Sequence, residues 1–388
     1  MISIALTMIH FIDELKKEDL KGKRVLLRLD LNVPVENGQI TDTFRLERAI
    51  TTVDFLRDNE AKTIIIAHLE NKDGGNDTLV PIWDYLKGYL KIDFSPSYFT
   101  PEAVDKLIKM EDKSVLLFEN IRINPGEKDN NDEFAKKLSQ MADIYVNDAF
   151  SVNHRMHASI VGVPKFLPHY GGFVLKSEIE HLSKVFYPDH PFVFILGGAK
   201  FQTKLPLIQK YLKTADTVFV GGSLANDIFK SKGFEVGESL VSNVPFDTSD
   251  ILDNPKFRTY SDVTVTKGSE VLFKKPNEIE KDECVVDAGT ETIEELKKII
   301  SGAKTIVWNG PLGNYEKGFS DKTEQLAEII ARRTEEDKSV VSIVGGGDTV
   351  ASIQKLNLEG KFTFVSTGGG AMLDFLVNEA LPGIEALE

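Results

Sequence analysis

The sequence predicts an α/β protein whose parallel sheets are divided between two domains. Apolar runs of strand length alternate with amphipathic segments, the pattern of βαβ units. At 388 residues the chain exceeds what one hydrophobic core supports. Glycine usage also changes along the chain, with twenty of the 29 glycines following Gly172.

Residues 1–9 are apolar but lack the basic and extended hydrophobic regions of a signal peptide, and Met8 is an alternative start. Residues 24–30 read as the first strand, followed by a turn at Asn37-Gly38 and a helical pattern from about Thr43 to Asn59. Residues 63–67 form the next strand, ending at His68, and residues 114–118 another, ending in Glu119, Asn120 and Arg122. A helix is predicted over 132–141 and a strand over 143–146, which leads into Asn147-Asp-Ala-Phe150. Near Gly171-Gly172 the character changes. A charged helix runs from about Val174 to Phe186 and is broken by Tyr187-Pro-Asp-His-Pro191, which places the interdomain connection at 174–191, between domains at 1–173 and 192–375. In the second half, strands beginning near Phe192, Thr217, Thr305, Ser339 and Phe362 each run into glycine. The acidic stretch 243–254 reads as a surface loop.

With 41% hydrophobic and 27% charged residues the composition is that of a soluble globular protein. A formal net charge of −14 argues against nucleic acid or an anionic membrane as partner. No run of 18 apolar residues predicts a transmembrane helix. The single cysteine, Cys284, leaves no intrachain disulfide or cysteine-based metal site and fits a reducing cytoplasm.

Ligands of open parallel sheets bind beyond the carboxyl ends of the strands. There the first half offers side chains: Asp30, Asn32, His68, Arg122 and the cluster His154-Arg155-Met156-His157, with Arg45 just inside the following helix. Several Arg and His residues at one edge of an acidic chain suit a small, multiply charged anion. The second half offers glycines. In Ser342-Ile-Val-Gly-Gly-Gly-Asp-Thr349 a strand breaks into glycine and opens a helix, whose free N–H groups and dipole suit phosphate. Lys200 and Lys204 follow another glycine turn at helical spacing. Plainer explanations remain open: tight βα turns use glycine for steric reasons, Asp30 can form an Asx turn, and the lysines can be a solvated helix face. The P-loop, G-x-G-x-x-G and protein-kinase signatures are all absent from the sequence.

In order along nearly the whole chain, Arg24-Val-Leu-Leu-Arg-Leu-Asp-Leu-Asn-Val-Pro34, Leu117-Phe-Glu-Asn-Ile-Arg122, Tyr145-Val-Asn-Asp-Ala-Phe150, His154-Arg-Met-His-Ala-Ser159, Leu196-Gly-Gly-Ala-Lys200, Trp308-Asn-Gly-Pro-Leu-Gly313, Gly345-Gly-Gly-Asp-Thr349, Ser366-Thr-Gly-Gly-Gly-Ala371 and the ending Leu381-Pro-Gly-Ile-Glu-Ala-Leu387 resemble the phosphoglycerate kinase family. The resemblance implies two doubly wound, Rossmann-like parallel-sheet domains, bilobal and joined by a hinge helix, with residues 376–388 returning to the N-terminal lobe. It implies a cytoplasmic, monomeric enzyme that transfers phosphoryl between 1,3-bisphosphoglycerate and ADP, giving 3-phosphoglycerate and ATP, with Mg2+. By position, Asp30, Asn32, Arg45, His68, Arg122 and Arg155 would hold the phosphoglycerate. Lys204, Gly289, Asn309, Glu316, Gly346, Gly347, Asp348 and Thr349 would hold the nucleotide, with Asp348 the metal ligand. Arg45 and Lys200 would neutralise charge on the transferred group as the lobes close. The acceptor carboxylate is already ionised at neutral pH, so no general base is required.

The chain departs from the family pattern in three places. His68-Leu-Glu-Asn-Lys72 stands for His-Leu-Gly-Arg-Pro, so Asn71 replaces a substrate-binding arginine and Glu70 adds a negative charge that opposes substrate if it points inward. Losing one charge-assisted hydrogen bond costs about 1.5–3 kcal/mol. Asp287-Ala-Gly-Thr290 stands for Asp-Ile-Gly-Pro, and Ser151-Val-Asn153 for Gly-Thr-Ala. These changes leave open a related acyl-phosphate kinase with a different carboxylate acceptor, or a non-catalytic nucleotide-binding relative.

Overall fold

Every residue of Arg24–Leu29 (β1) after the first is buried, because the strand lies at the centre of a sheet covered on both faces. The computed structural model describes residues 9–70, 77–199, 201–242 and 249–388; Asn71, Lys72, Lys200 and the alternative start at Met8 lie outside them. Two units divide the chain, Met1–Glu180 with Asn378–Glu388, and His181–Val377.

In the first unit β1 is followed by Val35–Glu36 (β2), Gln39–Ile40 (β3), Lys62–Ile66 (β4), Ile92–Ser95 (β5), Val115–Phe118 (β6), Ile144–Asp148 (β7) and His169–Gly171 (β8). Strands β2 and β3 form a hairpin over Asn37-Gly38, both with φ above zero, as the primed hairpin turns require. The other six make one sheet in the order β5-β6-β4-β1-β7-β8, parallel throughout. The chain leaves β1 towards β4 and returns to its other side at β7, so the carboxyl ends of β1 and β7 flank a topological switch point. On one face of this sheet Val25, Leu27, Leu29, Ile65, Leu117 and Val146 share a single core with Leu46, Val53 and Leu56 of helix Phe44–Asp58.

The second unit holds Phe192–Leu196 (β9), Thr217–Val220 (β10), Phe257–Arg258 (β11), Val263–Lys267 (β12), Glu270–Lys274 (β13), Cys284–Ala288 (β14), Thr305–Asn309 (β15), Val341–Gly345 (β16) and Phe364–Val365 (β17). Six of them form a parallel sheet ordered β11-β10-β9-β15-β16-β17, the doubly wound order whose switch point lies between β9 and β15. Tyr211, from helix Phe201–Thr214, stacks on Phe194 of β9 at 4.0 Å between ring centroids. A separate antiparallel sheet, β13-β12-β14, was not predicted from the sequence. The acidic stretch read as a loop contains a helical turn, Ser249–Leu252, and residues 243–248 lie outside the described part. Among the described residues no helix is long and apolar enough to cross a membrane.

The C-terminal residues complete the first unit. Leu381, Ile384 and Leu387 are buried, and the Gly383 N–H donates to the Asn153 carbonyl at 2.8 Å. Asn153 is itself held by the Asn147 side chain, whose amide donates to its Oδ1 at 2.7 Å. A β-carbon at Gly383 would strike that Oδ1 and the Ile160 methyl. Gly383→Ala is expected to lower stability by about 1–3 kcal/mol. Urea denaturation would show a lower midpoint at unchanged slope, and an unchanged midpoint would refute the steric account.

Candidate functional site

Arg28 interrupts the apolar run of β1 with a guanidinium that has no exposed surface. Its Nε donates to Ser159 Oγ at 3.0 Å, Nη1 donates to the Leu29 carbonyl at 2.5 Å, and Nη2 lies 3.2 Å from His68 Nδ1. Ser159 in turn donates through its backbone N–H (2.9 Å) and hydroxyl (2.6 Å) to the two oxygens of Glu127, a fully buried carboxylate. The Tyr145 hydroxyl donates to the Ser159 carbonyl at 2.5 Å. This framework stands beneath the predicted acceptor edge.

Asp30, just past β1, accepts from the Asn32 N–H at 3.1 Å, the Asx turn that its sequence allows. Its other oxygen accepts from Ser151 Oγ at 2.5 Å and pairs with Arg45 Nη1 at 3.0 Å. The same Arg45 nitrogen donates to the Asn32 carbonyl at 3.1 Å. Asn32 Oδ1 accepts from the Glu70 N–H at 2.9 Å. The Glu70 side chain points inward: one oxygen is paired with Arg122 Nη1, and the other lies 3.8 Å from Arg155 Nη1. Arg155 Nε donates to His154 Nε2 at 3.3 Å. The six residues predicted to hold the acceptor thus belong to one cluster. Arg28, Ser159, Glu127 and the direction of Glu70 were missed; the one available signal was an arginine inside an otherwise apolar strand.

Arg122 and His68, at the centre of the cluster, are buried, while Arg45, Arg155 and Glu70 keep partial access to water. Burial first, then Arg28, Arg122, Arg155 and Arg45, hold the His68 pKa well below that of a free imidazole, so its ring is neutral. Burial, then Arg122, Arg155, Arg28 and Lys128, bring His157 to about 4. Burial, with repulsion from Arg155 next and Glu70 opposing, brings Arg122 down to about 10.

The second unit presents backbone. At the β9–β15 switch point the Gly197 N–H donates to the Asn309 carbonyl at 2.9 Å and the Gly198 N–H to the Pro311 carbonyl at 2.8 Å. A β-carbon at Gly197 or Gly310 would collide with the facing backbone, so these glycines have a steric reason. Gly347 has none: a β-carbon there would meet nothing within 4 Å. It opens helix Gly347–Lys355 after Gly346, whose φ of 99° turns the chain out of β16. The first N–H groups of that helix have no intrahelical acceptors. Thr349 is buried and its Oγ1 accepts from the Gly310 N–H at 3.0 Å, tying the helix start to the end of β15.

Lys204 is buried, with Nζ donating to the Gly197 carbonyl at 2.5 Å, and Asn309 Nδ2 lies 3.6 Å from Met372 Sδ. Asp348 is exposed at the rim, yet partial desolvation and then Glu316 raise its pKa, with Lys204 opposing. Glu316 and Asp348 both line a cavity of about 540 Å³, together with Gly198, Gly313 and Asp287. Burial brings the Asp287 carboxyl up to about 7. Gly289 is not in the cavity wall; it packs on the Asp262 carboxylate, which accepts from the N–H groups of Glu291 and Thr292 at 3.0 and 2.8 Å. Among the described residues no group of three or more His, Cys, Asp or Glu is placed to hold a metal ion. The hard oxygen of Asp348 fits a metal ion whose other ligands come from a bound phosphate chain and water.

The family model for phosphoglycerate kinase matches residues 14–379. Phosphoglycerate kinase of Dictyoglomus turgidum is 41% identical over 97% of this chain and 98% of its own length. That of Fervidobacterium nodosum is 38% identical over 95% and 96%. Among solved structures, phosphoglycerate kinase from Pyrococcus horikoshii matches with a TM-score of 0.85 at 31% identity, and that from Coxiella burnetii with 0.79 at 34%, each over 98% of both chains.

Both low-pKa histidines make the fold sensitive to acid. An unfolded histidine titrates near ~6.5, so below that pH the unfolded chain binds more protons and stability falls. For His157 the loss begins near the unfolded value and saturates at about 4. Between about pH 7 and about pH 5.5, His157→Gln is expected to lose roughly 1 kcal/mol less stability than the wild type. Denaturant titrations at the two pH values measure this, and equal losses would refute it.

Proposed function

The chain belongs to the phosphoglycerate kinase family, and from this premise we propose that the cation cluster of the first unit holds 3-phosphoglycerate while the β15–β16 edge of the second holds the nucleotide phosphates. The enzyme is a phosphotransferase with a carboxyl acceptor, exchanging phosphoryl between 1,3-bisphosphoglycerate and ADP. One observation carries the assignment of the acceptor: Arg45, Arg122 and Arg155 gather with neutral His68 at one strand edge of a chain with net charge −14. Such an edge attracts a phosphate and a carboxylate against the overall field.

Phosphoryl transfer asks the protein for in-line placement and for neutralisation of the transferred oxygens, not for covalent chemistry. Arg122 and Arg155 fix the acceptor anion. Asp30 aligns Arg45, which would carry positive charge to the transferring group; Lys200 lies outside the described residues. His68, being neutral, orients by hydrogen bonding without adding charge. In the second unit the amides of Gly347, Asp348 and Thr349 would face the phosphates, with Lys204 and Asn309 beside them and Glu316 at the cavity rim. Members of this family generally use the magnesium nucleotide. Asp348 would hold that magnesium, whose chemistry is to draw charge from the phosphate oxygens. Glu316 lines the same cavity, so a cation held there would also relieve the repulsion between the two carboxylates. Gly289 shapes the Asp262 turn and is assigned no direct contact.

A coupled assay at saturating substrate tests the reading, and no ADP-dependent consumption of 1,3-bisphosphoglycerate would end it. Arg155→Ala is expected to raise the KM for 3-phosphoglycerate about 10- to 150-fold with little change in the KM for ATP. Asp348→Asn is expected to show the converse, weaker Mg-ADP binding by calorimetry with 3-phosphoglycerate affinity retained.

A further inference from the structure

Glu70 holds the place where an acidic ligand of this cluster would go. Its carboxylate lies between two guanidiniums, paired with Arg122 Nη1 and 3.8 Å from Arg155 Nη1. The Arg122 side chain has no exposed surface, whereas the Glu70 side chain retains 26% exposure, so the carboxylate sits on the solvent side of the buried cation. The Glu70 backbone is pinned by its N–H to Asn32 Oδ1 at 2.9 Å, which fixes the point from which the side chain reaches the arginines. Of the neighbouring carboxylates, Asp30 pairs with Arg45 and Glu127 is committed to Ser159.

We propose that Glu70 is an internal competing anion that a substrate must displace from Arg122 and Arg155, and that it sets the affinity of the site. The inference rests on the reading that these two arginines bind the acceptor. An external anion gains only the difference between its own pairing and that of Glu70. A phosphate dianion exceeds a single carboxylate in charge and in acceptor oxygens, so it displaces Glu70 more readily than a simple carboxylate does. Glu70 therefore lowers the affinity for every anion that takes its place by one common factor, which leaves a measurable occupancy only to strong ligands such as phosphorylated acceptors. No bond is made or broken in this step, and Glu70 swings away with its charge intact. The opposite role is physically distinct: a Glu70 that merely pre-aligned the arginines would strengthen substrate binding.

The test is calorimetric titration of 3-phosphoglycerate, and separately of glycerate, into wild type, Glu70→Gln and Glu70→Gly, with circular dichroism to verify folding. Competition is expected to show as a dissociation constant for 3-phosphoglycerate lower by about tenfold in the folded variants, with Mg-ADP affinity unchanged. Glycerate, which reaches the same arginines by the same displacement, is expected to gain by the same factor. Unchanged or weaker 3-phosphoglycerate binding in both variants overturns the proposal, and Glu70→Gly decides if Glu70→Gln fails to fold. Arg155→Ala separates the two levels of inference. If it binds 3-phosphoglycerate as wild type does, the acceptor-site reading fails and this proposal with it. If it loses binding while the Glu70 variants gain nothing, only the internal anion is refuted.

Discussion

A guanidinium without access to water, that of Arg28, is the constraint around which the first unit is arranged. A buried charge is tolerated only when its donors are satisfied and a counter-charge lies near. Leu29 and Ser159 supply acceptors, and Ser159 relays the group to the Glu127 carboxylate. That relay fixes the short helical stretch Ala158–Gly162, and with it the chain that carries Arg155 and His157. It also sets protonation. Burial first, and then the charges of Arg28, Arg122 and Arg155, hold both His68 and His157 below the pKa of a free imidazole. The positive field of the edge thus comes from arginines, which keep their charge, while the histidines supply hydrogen bonds.

The second unit solves a similar problem with backbone. A polyphosphate needs many donors close together, and side chains would crowd them. Glycines at the β9–β15 switch point let two strand ends pack backbone to backbone, while Gly347 leaves room at the start of a helix. Buried Lys204 adds the one fixed cation near Asp348 that its pKa registers. The contrast follows from ligand size. A compact anion is held by a few guanidiniums, whereas an extended phosphate chain is held by amides and a metal.

Central strands were legible because burial on both faces demands continuous apolar runs: β1, β4, β6, β7, β9, β10, β15 and β16 lie close to where the sequence places them. Edge strands obey no such demand. Ile92–Ser95 is half exposed and only four residues long, and Glu270–Lys274 alternates exposed and partly buried residues with charge at both ends. Neither differs from a polar loop by periodicity alone. At the site, strand-end chemistry was legible for Asp30, Asn32, His68, Arg122 and Arg155 because the parallel-sheet rule says where strand ends lead. What sequence does not carry is direction and depth. Gly289 reads as one more glycine at a strand end, yet it serves the packing of Asp262, and Arg28 reads as part of a strand although it anchors the whole edge.

Direction matters most at Glu70. Arginines gathered for an anionic substrate repel one another, and burial removes the water that would screen them; the lowered pKa of Arg122 records both effects. Counter-ions from solution would relieve the repulsion but lose translational freedom on binding. A carboxylate already tethered to the chain does not. Glu70, held by Asn32, supplies that tethered charge. Linkage then fixes the consequence. Whatever free energy Glu70 contributes to the cluster in the free protein is subtracted from the binding of any anion that replaces it. Stability of the cation cluster and affinity for the acceptor are therefore two readings of one interaction, and no change at residue 70 can raise the first without lowering the second.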